Sequence, residues 1–364
     1  MRKARWLAEW RKSAGKPVFY HVISRVVDRR FALGVEEKEK FRALMRLQEK
    51  FTGCRVTSYC LMDNHFHILL EVPPMAEAGL SDQELLKRLS AIYSEAFVAG
   101  VAKELADASK EIYTNESGLE EAVKAIHKRF TYRMHDLSQF MKGLLQRYTQ
   151  WHNRAHSRTG RLWEDRFKSL IVEDGVAART ISAYIDLNPV RAGMVKDPAD
   201  YRWCSYGEAV GGGTKGNGKK AREGLVRAYY CDQGVGFDAE KWRDVARLYR
   251  RLMGLALGSK PGRAEVAGVG NHEGQSTMNT AETLESEDNG TVLKELGMAK
   301  MLRCRVRYFT DGAVIGSKEF VNEAFASARE RFGAKRKDGA RAMKGSGSGA
   351  KGLLWSVRDL RVGV

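Results

Sequence analysis

The chain has 364 residues, 43% hydrophobic and 9% aromatic, enough for an extensive core and for two domains, which excludes a wholly disordered protein. Its 62 Lys and Arg outnumber 45 Asp and Glu, giving a formal charge of +17, and such a surplus favours polyanionic partners because neutralised phosphates release condensed counterions. The five cysteines are scattered without a C-x-x-C pair, no run approaches the ~20 apolar residues of a membrane span, and the basic start, Met1 to Lys16, lacks a signal-peptide core; a cytoplasmic protein with reduced thiols and no membrane contact is expected.

In chain order, Phe19 to Val27 is rich in β-branched residues and predicts a strand, and Glu36 to Phe51 has helical spacing. Two strand-like runs follow, Arg55 to Met62 and His65 to Val72, joined by Asp63-Asn64 as a hairpin turn. A helix-prone, charge-mixed stretch runs from Ser81 to Met134, and a further helix is expected over Leu137 to His152. Arg166 to Glu173 alternates like a strand, and Val176 to Leu187 looks helical up to Pro189. This order implies an α+β domain with a mainly antiparallel sheet. Gly211 to Lys220 has the composition of a flexible linker, Asp238 to Met253 reads as a basic amphipathic helix, and Ser259 to Asn289 as polar loop. Thr291 to Phe332 returns to helical and strand-like patterns before a basic, Gly/Ser-rich tail from Ala334 to Lys351.

Asn64-His65-Phe66-His67 is the most informative local feature. On a strand, His65 and His67 project to one side, where two imidazoles can share a divalent cation, and Phe66 turns to the other. A pair of ordinary hydrogen-bonded histidines fits the same pattern. More than a hundred residues later, Tyr184 and Asn188 stand four apart and would share a helix face that Pro189 ends. A core tyrosine and a capping asparagine are the plainer alternative. Together the two features fit one reaction. A Mg²⁺ or Mn²⁺ ion on His65, His67 and Asn188 would polarise a phosphate, and the Tyr184 phenol would attack it, retaining bond energy in a phosphotyrosine ester. Tyr148 and His152 also stand four apart and imitate that pair. Trp151, Trp163 and Phe167 lie among Arg147, Arg154, Arg158, Arg161, Arg166 and Lys168, an interleaving that suits single-stranded DNA or a solvated basic face. Arg191 would touch phosphate or helix-end carbonyls. Arg303 to Tyr308, Lys318-Glu319-Phe320 and Lys335-Arg336-Lys337 are candidates for DNA recognition.

The run Met62 to Glu71 (MDNHFHILLE) resembles the histidine–hydrophobe–histidine motif of single-tyrosine HUH transposases, and Leu137 to Asp174 and Tyr184 to Val195 (YIDLNPVRAGMV) look like the rest of that family's core. The nearest branch is the REP-associated tyrosine transposases, and the likeness spans roughly residues 17 to 206. It implies a ferredoxin-like or RRM-like sheet, with His65 and His67 as metal ligands, Tyr184 as nucleophile and Asn188 as third ligand, where insertion-sequence members often carry Gln. It also implies a nucleoid-associated monomer or homodimer that cleaves and rejoins single-stranded DNA beside hairpin-forming repeats through a 5′-phosphotyrosine. Residues 1–210 would be the transposase domain, with a helical insertion over 75–136, and residues 211–364 a basic C-terminal region for DNA recognition. The rivals are a relaxase or rolling-circle replication initiator, which shares the histidines and tyrosine, and a catalytically idle DNA-binding protein.

Overall fold

The computed structural model describes residues 5–8, 15–108, 116–213, 216–231, 241–254, 302, 307–342, 352 and 354–358. Strand β1, Val18–Arg25, draws its β preference from Val18, Phe19, Tyr20, Val22 and Ile23, which feed two cores alternately. Helix α1, Val35–Thr52, starts with Glu36 and Glu37 at its positive end. It stops where Gly53, at φ 73°, donates to the Glu49 carbonyl from a conformation that favours glycine. Strands β2 (Arg55–Leu61) and β3 (His65–Val72) form the expected hairpin, closed by Met62 N–H to the His65 carbonyl at 2.8 Å.

The stretch read as one helix-prone run divides into α2 (Asp82–Leu89), α3 (Glu95–Ala108) and α4 (Glu116–Thr131). They build a core of their own, with Leu85, Leu89, Leu105 and Phe130 packed against Phe51 at the end of α1. Helix α5, Leu137–Ala155, is capped by the Asp136 carboxylate, which accepts from Gln139 N–H. Strand β4, Lys168–Val172, then returns beside β1.

Strand order β2-β3-β1-β4, with every pairing antiparallel, is the ferredoxin-like arrangement. Both faces of this sheet are covered. Tyr20, Val22, Phe66, Ile68 and Leu70 meet α1 and α5 in one core. Phe19, Ile23, Leu69 and Leu170 meet helix α6, Val176–Asp186, in the other. The fold is α+β, and among the described residues no helix is long and apolar enough to cross a membrane.

The expected division near residue 210 falls inside continuous packing. Strand β5 (Val314–Gly316) pairs parallel with β4, and β7 (Trp355–Val357) and β6 (Arg341–Ala342) extend the same sheet to seven strands. Helix α8 (Ser205–Gly211) is followed within the supposed linker by α9, Asn217–Tyr229. The glycines there serve close contact as much as freedom. A Cβ on Gly218 would collide with the Gly212 carbonyl oxygen, and one on Gly224 would stand 2.7 Å from that of Thr57 in β2. Helix α10, Trp242–Leu252, sits where an amphipathic helix was expected. Ser259 to Asn289, Arg303 to Val306 and residues 343–351 lie outside the described residues.

Candidate active site

Alternation along β3 sends Phe66 into the α1/α5 core and turns His65 and His67 toward α6. Tyr184, on the buried face of α6, has its ring centroid 6.3 Å from that of His67, and the two imidazoles of β3 are 5.2 Å apart. Three side chains from segments more than a hundred residues apart thus meet at one place. A fourth was not anticipated. His21 of β1 is fully buried, and its Nε2 lies 2.9 Å from His67 Nδ1. Its one signal in sequence was a titratable residue amid an apolar strand, a pattern shared with many hydrogen-bonded core histidines.

Burial and the neighbouring His21 hold His67 well below the usual imidazole range. Burial drives His21 down to about 3; its Nδ1 makes no hydrogen bond of good geometry, although the Phe309 backbone works against the shift. Both are therefore neutral imidazoles at neutral pH, the form that ligates metals. The remaining donors fit a divalent cation. His65 Nδ1 lies 2.7 Å from Asn64 Oδ1, and His67 Nδ1 lies 2.9 Å from His21 Nε2. Asn188 uses Nδ2 on the carbonyls of Ile185, at 3.0 Å, and Tyr184, at 3.4 Å, which leaves Oδ1. Two imidazole nitrogens and an amide oxygen make a mixed set suited to Mg²⁺ or Mn²⁺ completed by phosphate and water. Among the described residues no three His, Cys, Asp or Glu side chains gather into a metal site.

His65, His67, Tyr184 and Asn188 line one cavity of about 860 Å³. Its wall carries Arg25, Arg29, Arg161, Arg166, Lys168 and Arg191 against Glu164, Asp165 and Asp311, an excess of positive charge suited to phosphate.

Residues 16–115 match the family of IS200-like transposases. That match takes in β1 through α3 with His21, His65 and His67, and it ends before Tyr184. Among solved structures, a REP-associated tyrosine transposase bound to a REP hairpin aligns over 60% of this chain and 88% of its own, at 13% identity and a TM-score of 0.30. No curated protein matches.

Beyond the IS200-like segment, several expectations need correction. Pro189 does not end the helical path. After Leu187 a second turn, α7 (Asn188–Arg191), begins with Pro189 in its first turn, where a missing N–H costs little. The Ile185 carbonyl that Pro189 cannot reach is served by the Asn188 amide instead. Arg191 satisfies carbonyls, donating to Tyr184 at 2.6 Å and Leu302 at 2.8 Å, while its guanidinium stacks 3.8 Å from the Tyr184 ring centre. Trp163 is no stacking platform. It is 9% exposed, packs on Phe66 and donates to Thr149, so its faces are occupied. Arg147 reaches the Ile92 carbonyl of the insertion, and neither it nor Arg154 lines the cavity. The rival pair fails on position, since Tyr148 and His152 are buried in the α1/α5 core beside Phe41 and Trp163. Phe309, from the short helix Arg307–Asp311, sets its ring 4.9 Å from that of Tyr184, so residues past 300 form part of the site.

Proposed function

We propose that the chain is a metal-dependent transposase of the REP-associated type, cutting and rejoining single-stranded DNA beside a hairpin through a tyrosine ester. One observation carries this: the Tyr184 ring and the two β3 imidazoles converge on a cavity walled by cations. Tyr184 packs in the α6 core and lines that cavity as well, a position that suits a nucleophile for a phosphodiester. The match of residues 16–115 to IS200-like transposases supports DNA as the substrate class.

His65, His67 and Asn188 would hold Mg²⁺ or Mn²⁺, which when bound supplies polarisation of a non-bridging phosphate oxygen. The wall arginines bring the backbone in and fix its path. Tyr184 Oη forms the bond to phosphorus and its proton leaves to solvent, while the P–O3′ bond breaks and the departing 3′ oxygen takes up a proton from solvent to become a 3′-hydroxyl. The product is a 5′-phosphotyrosine. Because one ester replaces another, a 3′-hydroxyl can reverse the step, which suits strand transfer. Helix α6 is anchored for this by Asp186, whose carboxylate accepts from Tyr206 N–H at 3.0 Å and the Tyr249 hydroxyl at 2.7 Å.

The test is incubation with Mg²⁺ and a labelled hairpin bearing a single-stranded flank, scored for a denaturant-stable protein–DNA adduct. The adduct is expected in the wild type and absent in Tyr184→Phe. Binding with no adduct under any divalent ion would instead mark an idle DNA-binding protein, and an adduct persisting in Tyr184→Phe would remove Tyr184 from its role.

A further inference from the structure

Phe31 is 81% exposed, more than any other large hydrophobic residue among those described. A single exposed ring is unremarkable by itself. Its setting is not, because the loop that carries it is fixed on both sides. Val26 N–H donates to the Asn64 carbonyl, Val27 N–H to that of Leu162 and Leu33 N–H to that of Asp63, each at 2.9 Å. Leu33, two residues on, is buried at 2%, so the loop reaches the core and still leaves Phe31 outside. Asp28 and Arg29 are consecutive non-glycine residues in the left-handed region, at φ 56° and 55°, a conformation that persists only where surrounding contacts impose it.

The loop is also tied to the candidate site. Asn64 donates from Nδ2 to the Arg29 carbonyl at 3.0 Å while its Oδ1 meets His65 Nδ1 at 2.7 Å. Arg25 and Arg29 line the cavity from this side. Arg29, two residues before Phe31, lines the cavity, so a strand leaving past Arg29 would run beside the loop that carries Phe31.

We propose that Phe31 is a stacking platform for an unpaired nucleobase of single-stranded DNA bound at the candidate site, a proposal that rests on the DNA-cleaving function above. Every base offers a π face, so the contact is sequence-tolerant, and the adjoining cations select a nucleic acid over an apolar protein surface.

Binding is measured by fluorescence anisotropy with short oligo-dT carrying one 2-aminopurine, in a Tyr184→Phe background so that no chemistry intervenes. Phe31→Ala is expected to weaken affinity roughly 5- to 150-fold, the equivalent of one lost base–aromatic stack, and to remove the 2-aminopurine quenching. Phe31→Trp should restore both to within about two-fold, since it returns a ring face. The exposed position leaves the fold intact, which unchanged circular dichroism checks. Equal affinity and quenching in Phe31→Ala would overturn the proposal and leave the cleavage reaction standing. Failure of the parent to bind any single strand would overturn both. Loss of self-association in Phe31→Ala with unaltered DNA affinity would overturn it in favour of contact between copies.

Discussion

A hydrogen bond between two neutral imidazoles has one proton to share, and its position decides whether His67 can act as a ligand. If His21 Nε2 carries the proton, His67 must hold its own on Nε2, the atom facing the site. If His67 Nδ1 carries it, Nε2 keeps its lone pair and His21 carries a proton on Nδ1. The 2.9 Å separation serves either arrangement, and only the second permits ligation. In the proposed metal site His21 would be a positioning residue, acting through His67. Replacing His21 with Gln keeps a polar group of similar reach but loses the ring that stacks on His67 at 5.1 Å between centroids. Mn²⁺ affinity, read by titration calorimetry without DNA, should fall by about ten- to a hundredfold in His21→Gln. A melting temperature near that of the wild type would separate this from general damage. Unchanged Mn²⁺ affinity would show that His21 merely fills its place in β1.

At the scale of elements, the insertion α2–α4 is held to the sheet domain partly through a neutral histidine. His135 Nδ1 lies 3.0 Å from the Pro73 carbonyl, which only accepts, and Nε2 lies 3.0 Å from Arg88 Nη1, which only donates. Both partners demand the Nδ1–H tautomer, and burial lowers the His135 pKa, with Arg88 acting in the same direction. Because the folded value is depressed, this docking contribution is complete above the ordinary value near 6.5 and is lost as pH falls below it toward the depressed one. Amide exchange in α2–α4, corrected for intrinsic rate, should accelerate between about pH 7 and pH 5 in the wild type. His135→Gln offers the same donor and acceptor without titrating, so its exchange should stay flat; parallel acceleration would assign the effect elsewhere.

The same elements show what a sequence displays and what it hides. Strands β1 to β4 were legible because each runs five or more residues with β-branched content and a turn or helix beside it. Strands β5 to β7 have three, two and three residues, too few for any period, and join the sheet by pairing across long separations. Spacing made His65, His67, Tyr184 and Asn188 candidates, but Tyr148 and His152 share the four-residue spacing, and the order of the family-like motifs was needed to prefer Tyr184. Neither the burial of Trp163 nor the part taken by Phe309 has a local signature, since both depend on which distant element arrives to cover them.

Over the whole molecule, a charge of +17 favours polyanions such as DNA but does not say where a strand would lie. Salt dependence can say where. Single strands release about 0.7 counterion per phosphate neutralised, so a strand paired with all six cavity cations would give a slope of roughly −4 in log affinity against log salt. Arg29 and Arg161 stand on the cavity wall, whereas Arg154 is exposed on α5 away from it. In the Tyr184→Phe background, Arg29→Ala and Arg161→Ala should each flatten the slope by about 0.7, and Arg154→Ala should leave it unchanged while shifting affinity only slightly. Equal flattening by all three would mean that the strand also follows the outer face of α5, and the cavity would then be one stretch of a longer track. Flattening by Arg154→Ala alone would place the backbone off the cavity altogether, where Tyr184 has no phosphate within reach.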